Sequence, residues 1–348
     1  MLLDYAGYPG TVTKSIWANF KPNHPPPYKV GLAFAQLTAD SQLRIYNTLK
    51  KELSSDPNIK LTAVTTGNQV NVPQQISQFN ALINSKPDLL IIEPIAEAFA
   101  PQVDKAGKLG IPTISLQNST DSKYAVNMQS NNYGTAAQSA SVVFRQMGGK
   151  GNILYVHGIA ATTVDQQRFA AFKAALKNCP GIKLAGEIAG AFVPPVAKSE
   201  TLKYLATHPG RIDGVLQTGG MAPGIISAFK QSGRPVPIID DAGAMKGSLG
   251  YWINNKDSYA SFGEGFPPVT YGKSIASVTR RMLAGRGLKV SDVTAWFPPI
   301  TVKSLDQWAQ KDWDLNTPGI ADGPPQSFMP ETFISGLFND PAPAAKGG

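Results

Sequence analysis

The sequence predicts an α/β protein of two similar lobes, each built on a doubly wound parallel sheet. Three observations carry this reading. The first is an internal repeat. Leu49-Lys50-Lys51-Glu52-Leu53 and Pro57-Asn58-Ile59-Lys60-Leu61 recur 123 positions later as Phe172-Lys173-Ala174-Ala175-Leu176 and Pro180-Gly181-Ile182-Lys183-Leu184. The second is a continuation of the repeat at an offset of 125, which lays Pro87-Asp88-Leu89-Leu90-Ile91-Ile92 on Ile212-Asp213-Gly214-Val215-Leu216-Gln217 and Ile111–Ile114 on Val236–Ile239. The third is the alternation of short apolar runs with longer stretches of helical period, the pattern of βαβ units around a parallel sheet. Each copy is about a hundred residues, enough to bury its own core. Two such lobes in one chain imply a cleft, and the cleft is where function is expected.

The elements follow in order. Residues 1–27 carry Gly7, Pro9, Gly10, Pro22 and Pro25-Pro26-Pro27 without a periodic apolar pattern, and read as an extended arm. Val30–Phe34 is a run fit for a buried strand. Leu43, Tyr46, Leu49 and Leu53 then mark one face of a helix. Strand Ile59–Val64, a helix with Ile76, Phe79 and Ile83 inward, strand Asp88–Ile92, a helix near Ala98–Leu109 and strand Thr113–Leu116 complete the first copy. The second copy runs through strand Ile153–His157, helix Asp165–Lys177, strand Ile182–Ile188 and a helix with Leu202 and Leu205. Strand Gly214–Gln217, a helix around Ile225–Phe229 and strand Pro237–Asp240 follow. Strand Ser258–Phe262 leads to a helix over Tyr271–Leu283. That helix has no counterpart at the repeat offset, so it is expected to return to the first lobe. Trp308 and Trp313 are expected to pin a tail, and Pro341–Gly348 to be disordered.

Composition narrows the function. The 348 residues, 42% of them hydrophobic, fit a globular protein of two domains. No run of eighteen apolar residues occurs to span a bilayer, and Met1-Leu2-Leu3-Asp4 is too short for the apolar core of a signal peptide. The protein is thus either cytoplasmic or shown without its export signal. One cysteine, Cys179, excludes an internal disulfide and multi-cysteine metal sites. The net charge of +8 is scattered in single residues and pairs such as Lys50-Lys51 and Arg280-Arg281, with no basic stripe interleaved with aromatics. Specific nucleic-acid binding is therefore not expected. Attraction to an anionic envelope or membrane surface fits at least as well.

Catalytic signatures are missing. His24, His157 and His208 are the only histidines, and His157 falls on a strand, as a satisfied core histidine would. There is no Gly-x-Ser-x-Gly elbow and no His-x-x-x-His pair. Gly272-Lys273-Ser274 lacks the upstream glycine of a phosphate loop, since Pro267 stands there. Gly148-Gly149-Lys150-Gly151 precedes a strand instead of following one. No cofactor and no metal are expected.

Ligands of open parallel sheets sit outside the carboxyl ends of the strands. In the first copy those ends carry Gln36, Thr38, Asp40, Glu93, Gln117 and Asn118. In the second they carry Thr162, Thr163, Asp165, Gln166, Phe192, Gln217, Thr218, Asp240 and Asp241. This set is rich in amides and acceptors and poor in cations, which suits a neutral polyhydroxylated molecule. The alternative, that they are ordinary polar loop residues, holds for many of them singly and less well for the set.

On these residues the chain resembles the periplasmic sugar-binding proteins of type I fold, the ribose-binding-protein relatives that serve ABC importers. The resemblance covers about residues 28–300. It rests on Lys29–Gln36, Lys86–Pro94, Gly110–Leu116, Gln129-Ser130-Asn131-Asn132, Gly158-Ile159-Ala160, Arg168-Phe169 and Phe172. It implies an N-terminal lobe of 28–131 plus 263–291, a C-terminal lobe of 132–262 plus 292–320, an arm of 1–27 and a tail of 321–348. Three crossovers, a hinge, and a ligand that closes the lobes around itself complete the implied fold. The family's paired aromatics fall on Ser41 and Gln42, its acid–arginine pair on Gln117 and Asn118, and the arginine that opens the second lobe's helix on Gln166. Phe192 keeps an aromatic, Thr218 replaces an amide, Asp241 keeps the acid of the last strand, and the amide near the third crossover falls on Glu264. Charged arms have become neutral except at Asp241, and Phe266 stands where it could supply a lost stacking face. The resemblance implies a non-enzymatic, extracytoplasmic, monomeric solute-binding protein that serves ABC importer membrane subunits and takes a small neutral sugar or polyol. The competing expectation, the effector domain of a sugar-responsive transcription regulator, needs a helix-turn-helix before residue 28, where the proline-rich arm stands.

Overall fold

The structure is a computed structural model that describes residues 14–35, 37, 39–67, 71–95, 97–160, 162–324 and 327–338. Chain contacts divide it into two compact units. The N-terminal lobe comprises the described residues within 9–130, 268–295 and 326–348, and the C-terminal lobe those within 131–267 and 296–325.

The N-terminal lobe opens with β1 (Tyr28–Phe34), α1 (Asp40–Ser54), β2 (Ile59–Thr65), α2 (Val72–Asn84), β3 (Leu89–Glu93), α3 (Ala100–Lys108), β4 (Thr113–Leu116) and β5 (Ala125–Ser130). The chain continues in the C-terminal lobe with α4 (Asn132–Gln146), β6 (Gly151–His157), α5 (Thr163–Lys177), β7 (Ile182–Ala189), α6 (Pro194–Thr207) and β8 (Gly214–Gln217). It goes on through α7 (Ala222–Gln231), β9 (Ile238–Ala242), α8 (Lys246–Asn254) and β10 (Ser261–Glu264). Helix α9 (Pro268–Leu283) and β11 (Asp292–Ala295) return to the N-terminal lobe. Strand β12 (Pro299–Ile300) belongs to the C-terminal lobe, and α10 (Glu331–Gly336) again to the N-terminal one.

Each lobe holds a six-stranded sheet, in the orders β11-β5-β4-β3-β1-β2 and β12-β10-β9-β8-β6-β7. The repeat is visible in the register itself. Tyr28 pairs with Ile59 and, 123 residues on, Gly151 pairs with Ile182. One of the two residues by which the offset grows is a bulge in β7: Ile153 pairs with Leu184 but Leu154 with Gly186, leaving Ala185 as an extra residue. The first sheet is parallel throughout, whereas β12 lies antiparallel to β10 at the edge of the second.

Strands buried on both faces explain the continuous apolar runs. Ala33, Leu90 and Ile92 meet Phe79, Leu82 and Ile83 of α2 and Val103 of α3. On the other face Phe34 lies 5.4 Å from Tyr46 of α1, and α1 packs against α9. The returning helix thus completes the N-terminal lobe. In the C-terminal lobe Leu154, Val156, Val215 and Ile239 meet α6 and α7, while Ile153, Tyr155 and Leu216 meet Val143, Phe144 and Phe172 of α4 and α5. Side-chain caps set three helix starts: Asn71 accepts from Gln74 N–H, Asn131 from Gly134 N–H and Thr162 from Asp165 N–H.

The ends of the chain depart from the expected arm and tail. Residues 14–20 dock on the N-terminal lobe. Ser15 N–H donates to Lys289 O, and buried Trp17 donates its indole N–H to Tyr124 O at 2.9 Å. The large apolar area of one tryptophan, with its one donor satisfied, outweighs a loop-like composition. Residues 327–338 likewise build into this lobe, where Phe328 and Phe338 are fully buried and Ser274 Oγ donates to Met329 O. Trp308 packs within the C-terminal lobe, among Leu249, Trp252, Ile300 and Leu305. The segment Pro341–Gly348 lies outside the described residues. Among those residues no helix is long and apolar enough to cross a membrane.

Candidate functional site

In both sheets the strand order reverses beside the first strand of the lobe, between β1 and β3 and between β6 and β8. The loops at the carboxyl ends there are the natural ligand position.

In the N-terminal lobe that position belongs to Glu93. Its side chain is 2% exposed. Gln42 Nε2 donates to Oε1 at 3.0 Å, and Ala35 N–H approaches Oε2 at 3.4 Å. Burial pushes the Glu93 carboxyl up to about 8, against the lowering effect of those two bonds. Two residues named from sequence, 51 positions apart, therefore meet directly. Gln117 follows β4 with φ 59°, a left-handed conformation that glutamine adopts only under constraint. Its N–H has Met128 O and the Tyr271 hydroxyl within bonding distance, and Tyr271 in turn donates to Met128 O. Gln117 Nε2 is buried with no acceptor among the described residues. Asn118 donates to Pro94 O at 2.8 Å, and its Oδ1 has no donor among the described residues. Asp40 opens α1, half-buried, and pairs with Arg44 at 3.6 Å. Gln36 and Thr38 lie outside the described residues.

The C-terminal lobe carries two carboxylate networks. In the first, Asp165 Oδ1 accepts from Gly158 N–H at 2.8 Å and from the Thr218 hydroxyl, and Oδ2 lies 2.8 Å from His157 Nδ1. The other ring nitrogen of His157 lies 3.0 Å from Glu187. Asp165 and Thr218, expected to meet ligand, are thus held by the protein's own donors and fix the loop after β6.

The second network sits on β9, β10, α4 and α5. Arg168 grips Glu264 with Nη1–Oε2 at 2.7 Å and Nη2–Oε1 at 3.0 Å, and Ser139 Oγ donates to Glu264 at 2.6 Å. Asp240 lies 3.6 Å from Arg168. Burial and the neighbouring Glu264 raise the Asp240 pKa, with Arg168 opposing them. Burial disfavours the Arg168 cation, but Glu264 and Asp240 outweigh that and keep it charged. The expected shortage of cations thus does not extend to this edge, where Arg168 is buried among acids. Glu264, read from sequence as replacing an amide, is half of an ion pair.

Asp241 stands apart from both networks. It is 2% exposed, and Ser248 Oγ donates to its Oδ1 at 2.8 Å. Oδ2 is buried with no protein donor among the described residues. Burial pushes the carboxyl up to about 7, opposed by bonds from Ser248 and Met245 and aided by nearby Glu264.

Aromatic rings border the same edge. Phe192, at φ 60°, lays its ring on Gly158, where a Cβ would come within 2.2 Å of Cζ. Only glycine at 158 admits that contact. Phe266 and Phe297 meet edge to face at 5.1 Å. Both follow from the fold: Phe266 lies just past the carboxyl end of β10, and β12, antiparallel to it, begins just after Phe297. Gln166 is exposed at the start of α5 and donates only weakly to Ala160 O, at 3.4 Å. Ser139, Ser248, Tyr271 and Phe297 were not reached from sequence. Ser139, Tyr271 and Phe297 are brought in by contacts between elements separated in the chain, and Ser248 by the turn from β9 into α8, and no local pattern marks such residues.

Comparison with known proteins agrees with this architecture. Residues 29–287 match the family described as periplasmic binding protein domain. The xylitol-binding protein of Mycolicibacterium smegmatis is 29% identical over 194 residues, so the match spans about half of each protein, 55% of both. Among solved structures, an ABC transporter solute-binding protein from Thermobispora bispora superposes with a TM-score of 0.74 at 22% identity, covering 81% of this chain and 87% of that one. Another from Bacillus halodurans, with bound myo-inositol, gives 0.71 at 17% identity, covering 82% and 98%. With the family match spanning most of the chain, the protein belongs to the periplasmic binding protein domain family.

Proposed function

We propose that the protein is the extracytoplasmic solute-binding component of an ABC importer, that it performs no chemistry on its ligand, and that the ligand is a small neutral polyol or sugar. The observation that carries the ligand class is the Asp241 carboxylate, whose Oδ2 is buried with no donor among the described residues. A buried acceptor is not left idle without cost, and a neutral ligand's hydroxyl fills it without bringing a second charge. Gln117 Nε2 and Asn118 Oδ1 offer an unused donor and an unused acceptor of the same kind, as a molecule whose hydroxyls both give and take requires. Family membership supports the transport role, and the names of the relatives, one binding xylitol and one holding myo-inositol, support the ligand class. Its expected partners are the membrane subunits of the importer, met as a monomer.

The test is a thermal-shift screen of polyols, sugars, amino acids and nucleosides, followed by mass spectrometry of each stabilising hit after incubation. A neutral polyol or sugar that stabilises the protein and is recovered unchanged is the expected result. A strongly anionic hit overturns the ligand class, because Asp241, Asp240 and Glu264 repel it. Turnover overturns the transport reading.

A further inference from the structure

Gln117 sits at the centre of a three-residue turn. Asn118 N–H donates across it to Leu116 O at 2.6 Å, and Gln117 itself takes φ 59°. A turn closed in this way with a positive central φ is the rare, strained form of the γ-turn. Glycine or asparagine takes such a φ readily, whereas glutamine enters it only when its surroundings impose it.

Two of the anchors are local and hold Asn118. Ser115 Oγ donates to Asn118 O at 3.0 Å, and Asn118 Nδ2 donates to Pro94 O at 2.8 Å. The side chain that bonds Gln117's own backbone comes from α9, 154 residues later. Gln117 N–H donates to the Tyr271 hydroxyl at 3.2 Å, shared with Met128 O at the same distance, and that hydroxyl donates to Met128 O. One oxygen thus accepts from the turn after β4 and donates to β5. Packing fixes where it stands, since Tyr271 is 1% exposed and its ring meets Phe328 edge to face at 5.7 Å. Burial raises the phenol's pKa against the opposing Gln117 N–H, and nearby Glu93 adds to the rise, so the hydroxyl keeps its proton.

We propose that Tyr271 is a positioning residue for solute capture, whose hydroxyl holds Gln117 in the strained turn and so sets its side-chain amide towards the ligand. What the turn delivers is Nε2, buried with no acceptor among the described residues. The inference rests on the reading that Gln117 belongs to the ligand site, and it adds to that site a residue acting through Gln117.

Amide hydrogen exchange of the full chain and of Tyr271→Phe, followed residue by residue by NMR, tests the turn without ligand. Phenylalanine keeps the ring against Phe328 and removes only the hydroxyl. Gln117 and Asn118 amides should exchange about tenfold faster, as loss of one hydrogen bond produces, while those of β1 and β3 keep their parent rates. Unchanged exchange at both amides, or acceleration spread evenly over the lobe, overturns the assignment. Calorimetry with xylitol and myo-inositol as probes supplies the second arm. Tyr271→Phe and Gln117→Ala should each weaken binding about tenfold, and the double variant should bind no more weakly than Gln117→Ala alone. Losses that multiply in the double variant overturn the positioning role. A parent that binds neither polyol overturns the solute reading instead, and the exchange rates still decide whether Tyr271 holds the turn.

Discussion

The guanidinium of Arg168 and the carboxylate of Glu264 meet in a two-pronged pair, 2.7 and 3.0 Å long, with each side chain at least 97% buried. The pair joins α5 to the last parallel strand of the second sheet, 96 residues later. Buried ion pairs contribute little net stability when both partners are present, yet removing one leaves a stranded charge. Glu264→Ala should therefore destabilise the protein by about 3–5 kcal/mol, as measured by denaturant unfolding. Replacing both residues by methionine should cost much less than the single change. Equal losses would show that the pair acts through packing alone.

Glu93 gives the stability curve a definite slope. Its folded-state carboxyl titrates at about 8, well above the usual 4.5, because burial disfavours the charged form. The native state therefore holds a proton that the unfolded chain releases. This contribution is complete below about pH 4.5 and is lost as pH rises towards and through 8. Glu93→Gln should leave stability little changed at pH 5 and raise the melting temperature at pH 8, by roughly 2–4 °C per kcal/mol relieved. A variant less stable than the parent at pH 8 would contradict this assignment.

Much of the fold was legible because the repeat and the apolar runs report sheet strands buried on both faces. The offset of 123 reappears as the strand register. Strands β5, β11 and β12 escaped notice because they lie at or near the sheet edges, where Ala125–Ser130 and Asp292–Ala295 mix polar with apolar residues and β12 is only two residues long. The strand-end rule pointed to Glu93, Gln117 and Asp241 but could not say which polar atoms the protein itself would use. Asp165 and Thr218, chosen by the same rule, are bonded to each other and to the loop after β6. That distinction depends on Gly158 and His157 lying within bonding distance, which spacing alone does not encode.

Gly158 sets the place of Phe192. An added methyl would come within 2.2 Å of the ring, so Gly158→Ala must push Phe192 away. Overpacking of this kind costs about 1–3 kcal/mol. Gly158→Ala should weaken polyol binding in calorimetry, and Phe192→Ala should weaken it comparably. Unchanged affinity in both would remove this ring from the site.

Asp241 titrates at about 7, so near neutral pH it is a mixture of acid and carboxylate. A ligand hydroxyl that donates to it favours the carboxylate and lowers that pKa. Polyol binding at pH 7 should thus release a fraction of a proton, seen as a dependence of binding enthalpy on the ionisation heat of the buffer. Proton uptake would mean that Asp241 donates to the ligand instead of accepting from it.

The most direct test of the account is titration calorimetry of xylitol and of myo-inositol into the parent chain and into Asp241→Asn. The account predicts saturable binding of at least one of them to the parent. It also predicts that the variant loses about 1.5–3 kcal/mol of that affinity, the range for a hydrogen bond to a charged group. Binding that is undiminished in Asp241→Asn, or a parent that binds neither polyol, would contradict it.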